Sequence, residues 1–176
     1  MRAPPAPAFW DTPALRHLLS SLVSRLDGYE IEHLLAVDGA AVADVNVLIS
    51  QLKPSWEPLT DEGLAELIAL ESRVYVARHG GRIVGLTVMV PHRHVPGLRY
   101  HAEDVVIAEE HRGLGLGRRL LEFAMQHVPG RVMSFDLRSH ASRTSAHRLY
   151  SSLGFRPSDA TVFRLDARTE DASGDS

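Results

Sequence analysis

The chain has no cysteine. That removes disulfides, thiolate metal sites and a cysteine nucleophile, and it fits a reducing compartment. No stretch approaches the ~20 apolar residues of a membrane-spanning helix, so no membrane partner is expected. The start of the chain lacks a basic region followed by an apolar run, the pattern of a secretory leader. A cytoplasmic location is the expectation. Positive charge is not in excess either. A net charge of -3 over 176 residues gives no electrostatic footprint for nucleic acid. Two glycine patterns that hold phosphate are also missing. There is no G-x-x-x-x-G-K followed by Ser or Thr. The pattern G-x-G-x-x-G fails because Arg118 and Leu120 stand where a third glycine is needed. The second absence excludes a dinucleotide-binding oxidoreductase.

What is present is Arg112-Gly113-Leu114-Gly115-Leu116-Gly117, the pattern R-x-x-G-x-G. Alternating glycines permit a tight turn that lies close to a ligand. Leu116, Leu120, Leu121, Ala124 and Val128 then recur at helical spacing, with Arg118, Arg119, Glu122 and Gln126 on the other side. A glycine turn feeding a helix start aims unpaired N–H groups, and the positive end of the helix dipole, at one place. Phosphate or pyrophosphate is the ligand this favours.

The rest of the chain alternates strands and helices. A proline-rich arm, residues 1–12, precedes a helix over 13–26 with Thr12 as cap and Leu15, Leu18, Leu19, Leu22 and Leu26 as its stripe. A strand follows over Tyr29–Val37, then a helix over 40–52 stopped by Pro54. Thr60 caps a second helix with Leu64, Leu67, Ile68 and Leu70 inward. Val74–Arg78, Gly80-Gly81 and Ile83–Val90 read as a β-hairpin. Residues 91–98 read as a loop and Arg99–Ala108 as a strand. After the helix over 115–127 come a strand over Arg131–Arg138, a helix over 142–152 ended by Gly154, and a last strand over Ala160–Leu165. The fold class is α/β, a mixed central β-sheet flanked by helices.

Three spaced motifs on this order carry a family resemblance. Residues 78–86, Arg-His-Gly-Gly-Arg-Ile-Val-Gly-Leu, resemble a hairpin of the GCN5-related N-acetyltransferase (GNAT) superfamily. Ala102-Glu103-Asp104-Val105-Val106-Ile107 and the glycine turn resemble its acyl-binding strand and pyrophosphate loop. Arg143-Thr144-Ser145-Ala146-His147-Arg148-Leu149-Tyr150, then Leu153-Gly154-Phe155, is similar to its last helix. Glu103-Asp104 before Arg112-Gly113 is also locally similar to diamine acetyltransferases. The resemblance covers an acetyltransferase domain over 30–165, which leaves the N-terminal arm and helix over 1–29 before it and a polar tail over 166–176, expected to be disordered, after it. It implies acetyl-CoA as co-substrate and an amine acceptor, with a small molecule placed ahead of a protein. A homodimer is compatible with it. The competing function is a non-catalytic acyl-CoA-binding domain of the same fold, against which Glu103 and Tyr150 speak.

The resemblance also assigns roles. With no cysteine, the amine attacks the thioester directly. Glu103 is the expected base. Strand alternation puts His101, Glu103, Val105 and Ile107 on one face, with Glu103 and Ile107 ~13 Å apart. A carboxylate among apolar neighbours takes up a proton more readily. Asp104, on the other face, is the lesser candidate. Tyr150 is the expected acid for the departing thiolate. Val105, Val106 and Ile107 would hold the pantetheine arm and acetyl carbonyl through their backbone. Arg112, Gly113, Leu114, Gly115, Leu116, Gly117 and Arg118 would hold the pyrophosphate, together with Arg143, which stands where many members have Asn. His92, His94 and His101 could cluster, but no ligand spacing with a third partner is visible, so no metal is expected. His147 reads as a surface residue near Tyr150.

Overall fold

The computed structural model describes residues 28–163 and 165, and the backbone of residues 24–26. Among these, six strands form one sheet in sequential order. They are β1 (Ser24–Leu26), β2 (Tyr29–His33), β3 (Arg73–His79), β4 (Arg82–His94), β5 (Gly97–Ile107) and β6 (Val132–Leu137). The helices are α1 (Gly39–Leu52) and α2 (Asp61–Ala69) between β2 and β3, α3 (Leu116–His127) between β5 and β6, and α4 (Thr144–Ser152) after β6. Neighbouring strands are antiparallel up to β5, and β6 runs parallel to β5. That parallel step needs a crossover, which α3 supplies.

Local chemistry sets the helix starts. Asp38 caps α1 by accepting from Ala41 N–H at 2.7 Å, and Thr60 caps α2 by accepting from Gly63 N–H at 3.1 Å. The expected stripe of α3 is buried in full: Leu116, Leu120, Leu121, Ala124 and Val128 lie in the core. Phe123 of α3 meets the ring of Tyr75 on β3, so α3 covers the sheet face that carries Tyr75.

The other face belongs to α1. Asp44, buried on α1, accepts from Arg82 Nε at 2.8 Å and from Ile83 N–H at 2.8 Å, which fastens α1 to the start of β4. Burial pushes its pKa up, but the Arg82 hydrogen bond and the Ile83 N–H outweigh that and leave it lowered. A lowered carboxylate pKa contributes stability above its unfolded value, and that stability is lost as pH falls through the folded one. Asp44→Ala also strands the buried Ile83 N–H, at a cost of about 1–3 kcal/mol. We expect a lower Tm for Asp44→Ala at neutral pH. The gap to wild type should narrow below the ordinary carboxylate range. A gap that stays constant down to low pH would show that Asp44 acts through packing alone.

Several expected elements differ. Residues 24–26 form a strand paired with β2, not the end of a helix; the remainder of the helix over 13–26 lies outside the described residues. The strand expected over 29–37 ends at His33, and Leu35 is exposed. Leu70 is exposed just past the end of α2. Residues 91–98 are not a loop, because β4 and β5 continue as a hairpin closed at His94↔Gly97. Pairing of β4 with β3 stops at Met89, so Pro91 lies where β4 has one neighbour and its missing N–H interrupts no second ladder. Residues 160–163 and 165 have no strand pairing, and Phe163 and Leu165 are exposed. The apolar alternation there has no core beneath it.

Candidate active site

β5 has a break in its alternation. Leu86 pairs Val106 and Val88 pairs Glu103, so two residues of β4 span three of β5. This is a β-bulge, and Asp104 within it has φ 50, the one positive φ of a non-glycine among the described residues. Thr87, fully buried, faces the bulge and donates from Oγ1 to the Glu103 carbonyl at 3.2 Å. Lys53, just past α1, reaches the Asp104 carboxylate at 2.9 Å. The bulge overturns the expected common face. Glu103 and His101 lie with Val88 and Val90 on the α1 side. Ile107 lies with Gly85 on the α3 side, near Gly117.

The same stretch of β5 loses its other neighbour. Pairing with β6 ends at Ala102↔Leu137. Residues 103–107 therefore present a strand edge that no described strand covers. Such an edge offers backbone donors and acceptors to an extended ligand. Glu103 stands where the two strands part. Its surroundings are polar rather than apolar. The side chain is 40% exposed, and Oε1 lies 3.4 Å from the Arg138 guanidinium and 3.5 Å from His101 Nε2. Arg138 is the first residue after β6. Two buried polar atoms near this fork lack hydrogen bonds, His101 Nε2 and Ser139 Oγ. Burial holds the His101 pKa below its usual value. Glu103 opposes that shift, while Arg138 and His92 add to it. His92 lies 6.0 Å from the His101 ring and 6.4 Å from that of His94.

The glycine turn follows β5 through a single 3-10 turn, Glu109–His111. Gly115 is the N-terminal cap of α3 at φ 75 and has no side chain to satisfy the helix start. The first N–H groups of α3, from Leu116 to Arg118, are thus left to a ligand or water. Gly113, Leu114 and Gly115 are exposed, whereas the Leu116 side chain is in the core. Gly117 has a different reason to be glycine. A Cβ there would lie 3.3 Å from Leu149 and 3.6 Å from Ile107, so its α-carbon is packed against α4 and β5 and does not face the turn's open side.

The arginines are tied. Arg112 donates to the Ile107 carbonyl at 2.9 Å and to Gln51 Oε1 at 3.0 Å, and Gln51 also accepts from Glu109 N–H. Arg118 bridges Glu122 and the Ser152 carbonyl, each at 2.7 Å, the latter at the end of α4. Both brace the turn. Arg143 is exposed at the N-terminal cap position of α4.

Tyr150 is held at the end of α4. Leu153 N–H and Phe155 N–H both donate to its carbonyl at 3.0 Å, and Gly154 at φ 89 reverses the chain between them. The ring is buried against Phe155, and among the described residues its hydroxyl has no hydrogen-bond partner. Burial raises its pKa, with Arg143 opposing. His147 is exposed. Leu149 against Gly117, and Ser152 against Arg118, tie α4 to the first turn of α3. Gln51, Lys53, Thr87 and Arg138 escape sequence reading because each acts across a distance in the chain. Only Arg138, at the end of an expected strand, carries a local hint.

Residues 71–157 match the model of the acetyltransferase (GNAT) domain family. The chain is 29% identical over 123 residues to N-alpha-acetyltransferase RimI of Mycobacterium tuberculosis (strain ATCC 25618 / H37Rv), over 70% of this chain and 75% of that protein. It superposes on an acetyltransferase of Trypanosoma brucei with a TM-score of 0.64 at 25% identity, over 79% of this chain and 99% of the other. An aminoglycoside acetyltransferase from an uncultured soil metagenomic sample gives 0.68 at 14% identity, over 81% and 98%, a likeness of fold. An uncovered β5 edge beside an uncapped helix start suits an extended ligand with a phosphate group, and with these matches it places the chain in the GNAT superfamily as an acetyl-CoA-dependent acyltransferase.

Proposed function

We propose that the enzyme transfers the acetyl group directly to a primary amine, with Glu103 as base and Tyr150 as acid. The observation that carries this is the fork between β5 and β6, with the Glu103 carboxylate at its apex. Acetyl-CoA supplies an activated acyl group on a thiol leaving group. The backbone of Val105, Val106 and Ile107 along the open edge binds the pantetheine arm. Backbone N–H groups from Gly113 to Arg118 bind the pyrophosphate, with Arg112 and Arg118 bracing the turn and Arg143 adding charge. Glu103 takes the ammonium proton directly or through a water. Arg138 orients its carboxylate, and the half-buried His101, whose pKa burial lowers, stands beside it. Tyr150 keeps its proton at neutral pH and has a free hydroxyl to give it to sulfur.

The likeness to RimI favours the α-amine of a peptide as acceptor over the small amines that the sequence placed first. Thiol release is measured with peptides bearing a free N-terminus, the same peptides N-terminally blocked, and polyamine and aminoglycoside amines. Turnover confined to free N-termini is expected. Turnover with small amines alone would return the acceptor to that class.

Gly115→Val tests the donor site. A β-branched residue at φ 75 is strained by about 1–3 kcal/mol, which the turn relieves by moving. Calorimetry should show acetyl-CoA binding weakened roughly tenfold or more, with helical circular dichroism retained. Unchanged affinity would remove the turn from the donor site.

A further inference from the structure

The nineteen basic side chains of this enzyme are eighteen arginines and one lysine, Lys53. It carries the only side-chain primary amine in the sequence. Its Nζ lies 2.9 Å from Asp104 Oδ1, on the residue between Glu103 and Val105 and inside the bulge where β5 leaves β6. The one side-chain amine of the sequence is therefore held on the residue that follows the proposed base. The Trp56 ring lies 5.2 Å from Nζ on the other side.

We propose that Lys53 is a site of self-acetylation. This rests on the proposed catalytic roles of Glu103 and Tyr150. The pair with Asp104 is solvent-accessible, with the lysine side chain 47% exposed, and ion pairs of that kind are weakly held. Release from Asp104 frees Nζ to swing along the bulge. The neutral amine attacks the thioester carbonyl. An N–C bond forms and the C–S bond breaks. Glu103 takes the ammonium proton before attack, the thiolate takes its proton from Tyr150, and the second nitrogen proton, lost as the amide forms, passes through solvent to restore Tyr150. The products are an ε-acetyl amide and free CoA, so no further reactant is needed.

The modification has a structural consequence. An acetylated Lys53 has no charge. It loses the ion pair with Asp104 and its cation–π contact with Trp56. Asp104 is then held at φ 50 by its neighbours alone, with Thr87 as the remaining side-chain tie to the bulge. Acetylated enzyme should turn over its acceptor more slowly than fresh enzyme, which makes the reaction self-limiting when acceptor is scarce.

The test incubates the full chain with acetyl-CoA and no acceptor, then maps acetylated peptides over time, with the N-terminal amine mapped separately. Wild type should accumulate acetyl on Lys53, and Tyr150→Phe should do so at least tenfold more slowly. Lys53→Arg, which keeps the charge, should retain a constant rate over a time in which wild type slows. Acceptor turnover is followed in parallel on the same samples. Unmodified Lys53 in an enzyme that turns over its acceptor overturns the proposal and leaves the catalytic roles standing. Equal modification of Tyr150→Phe, with acceptor turnover lost in that variant, also overturns it, because the acetylation is then spontaneous. Loss of neither reaction in Tyr150→Phe overturns both the proposal and the role of Tyr150.

Discussion

Tyr150→Phe should lower turnover by roughly 10²–10⁴, the range of a lost general acid, and leave acetyl-CoA affinity close to wild type. The hydroxyl is the only group removed. The ring keeps its edge contact with Phe155, and the backbone bonds that fasten Leu153 and Phe155 to the Tyr150 carbonyl do not involve the side chain. The residue is buried to 7% exposure, while its hydroxyl has no hydrogen-bond partner among the described residues. In the proposed acid role it gains a partner as charge builds on the departing sulfur, so the effect should fall on kcat and not on binding. Burial raises its pKa, so the phenol stays protonated above its ordinary range of about 10. The wild-type rate should show no decline with pH below that range from loss of this proton. Single-turnover kinetics with calorimetry separates the two readouts. A phenylalanine variant with normal kcat would assign the proton to water.

The elements that position this site were legible where the cause is local. Capping by Thr60, the stripe of α3, the glycine at the start of α3 and Gly154 after Tyr150 all follow from residues within a few positions of each other. The helix over 40–52 and the hairpin around Gly80-Gly81 were readable for the same reason. What failed depends on contacts across the chain. Period-2 alternation treats β5 as unbroken, but Thr87 and Lys53 hold an extra residue in it at Asp104. That one residue turns Ile107 to the opposite face from Glu103. Similarly, an arginine near a phosphate turn suggests a phosphate contact. Arg118 also bonds Glu122 and the end of α4, a bracing role that only the packing of α4 beside α3 can reveal. The segment 160–165 alternates like a strand, yet alternation needs a partner strand to become one.

Glu103→Gln is the second large effect. The amide keeps the size of the side chain and an oxygen that can accept from Arg138, but it cannot take a proton. We expect kcat/KM near neutral pH to fall by roughly 10²–10⁴, with partial recovery at high pH as more of the acceptor amine is neutral in solution. The bulge sharpens this expectation. Glu103 and Ile107 lie on opposite faces, so the proposed roles would divide proton removal and the anchoring of the acyl end between the α1 and α3 sides of the sheet. With Glu103 as base, the amine would approach from the α1 side, where Glu103, His101 and Arg138 gather. His101 is the rival base on that side. Burial lowers its pKa below that of a free histidine, and its Nε2 has no hydrogen bond. A His101 base would thus give an ascending limb below the usual histidine range, whereas an amine deprotonated through Glu103 gives one set by the acceptor. Comparing pH–rate profiles of wild type, Glu103→Gln and His101→Asn decides between them. Normal turnover in Glu103→Gln, with the ascending limb lost in His101→Asn, would move the base two residues along β5 to His101.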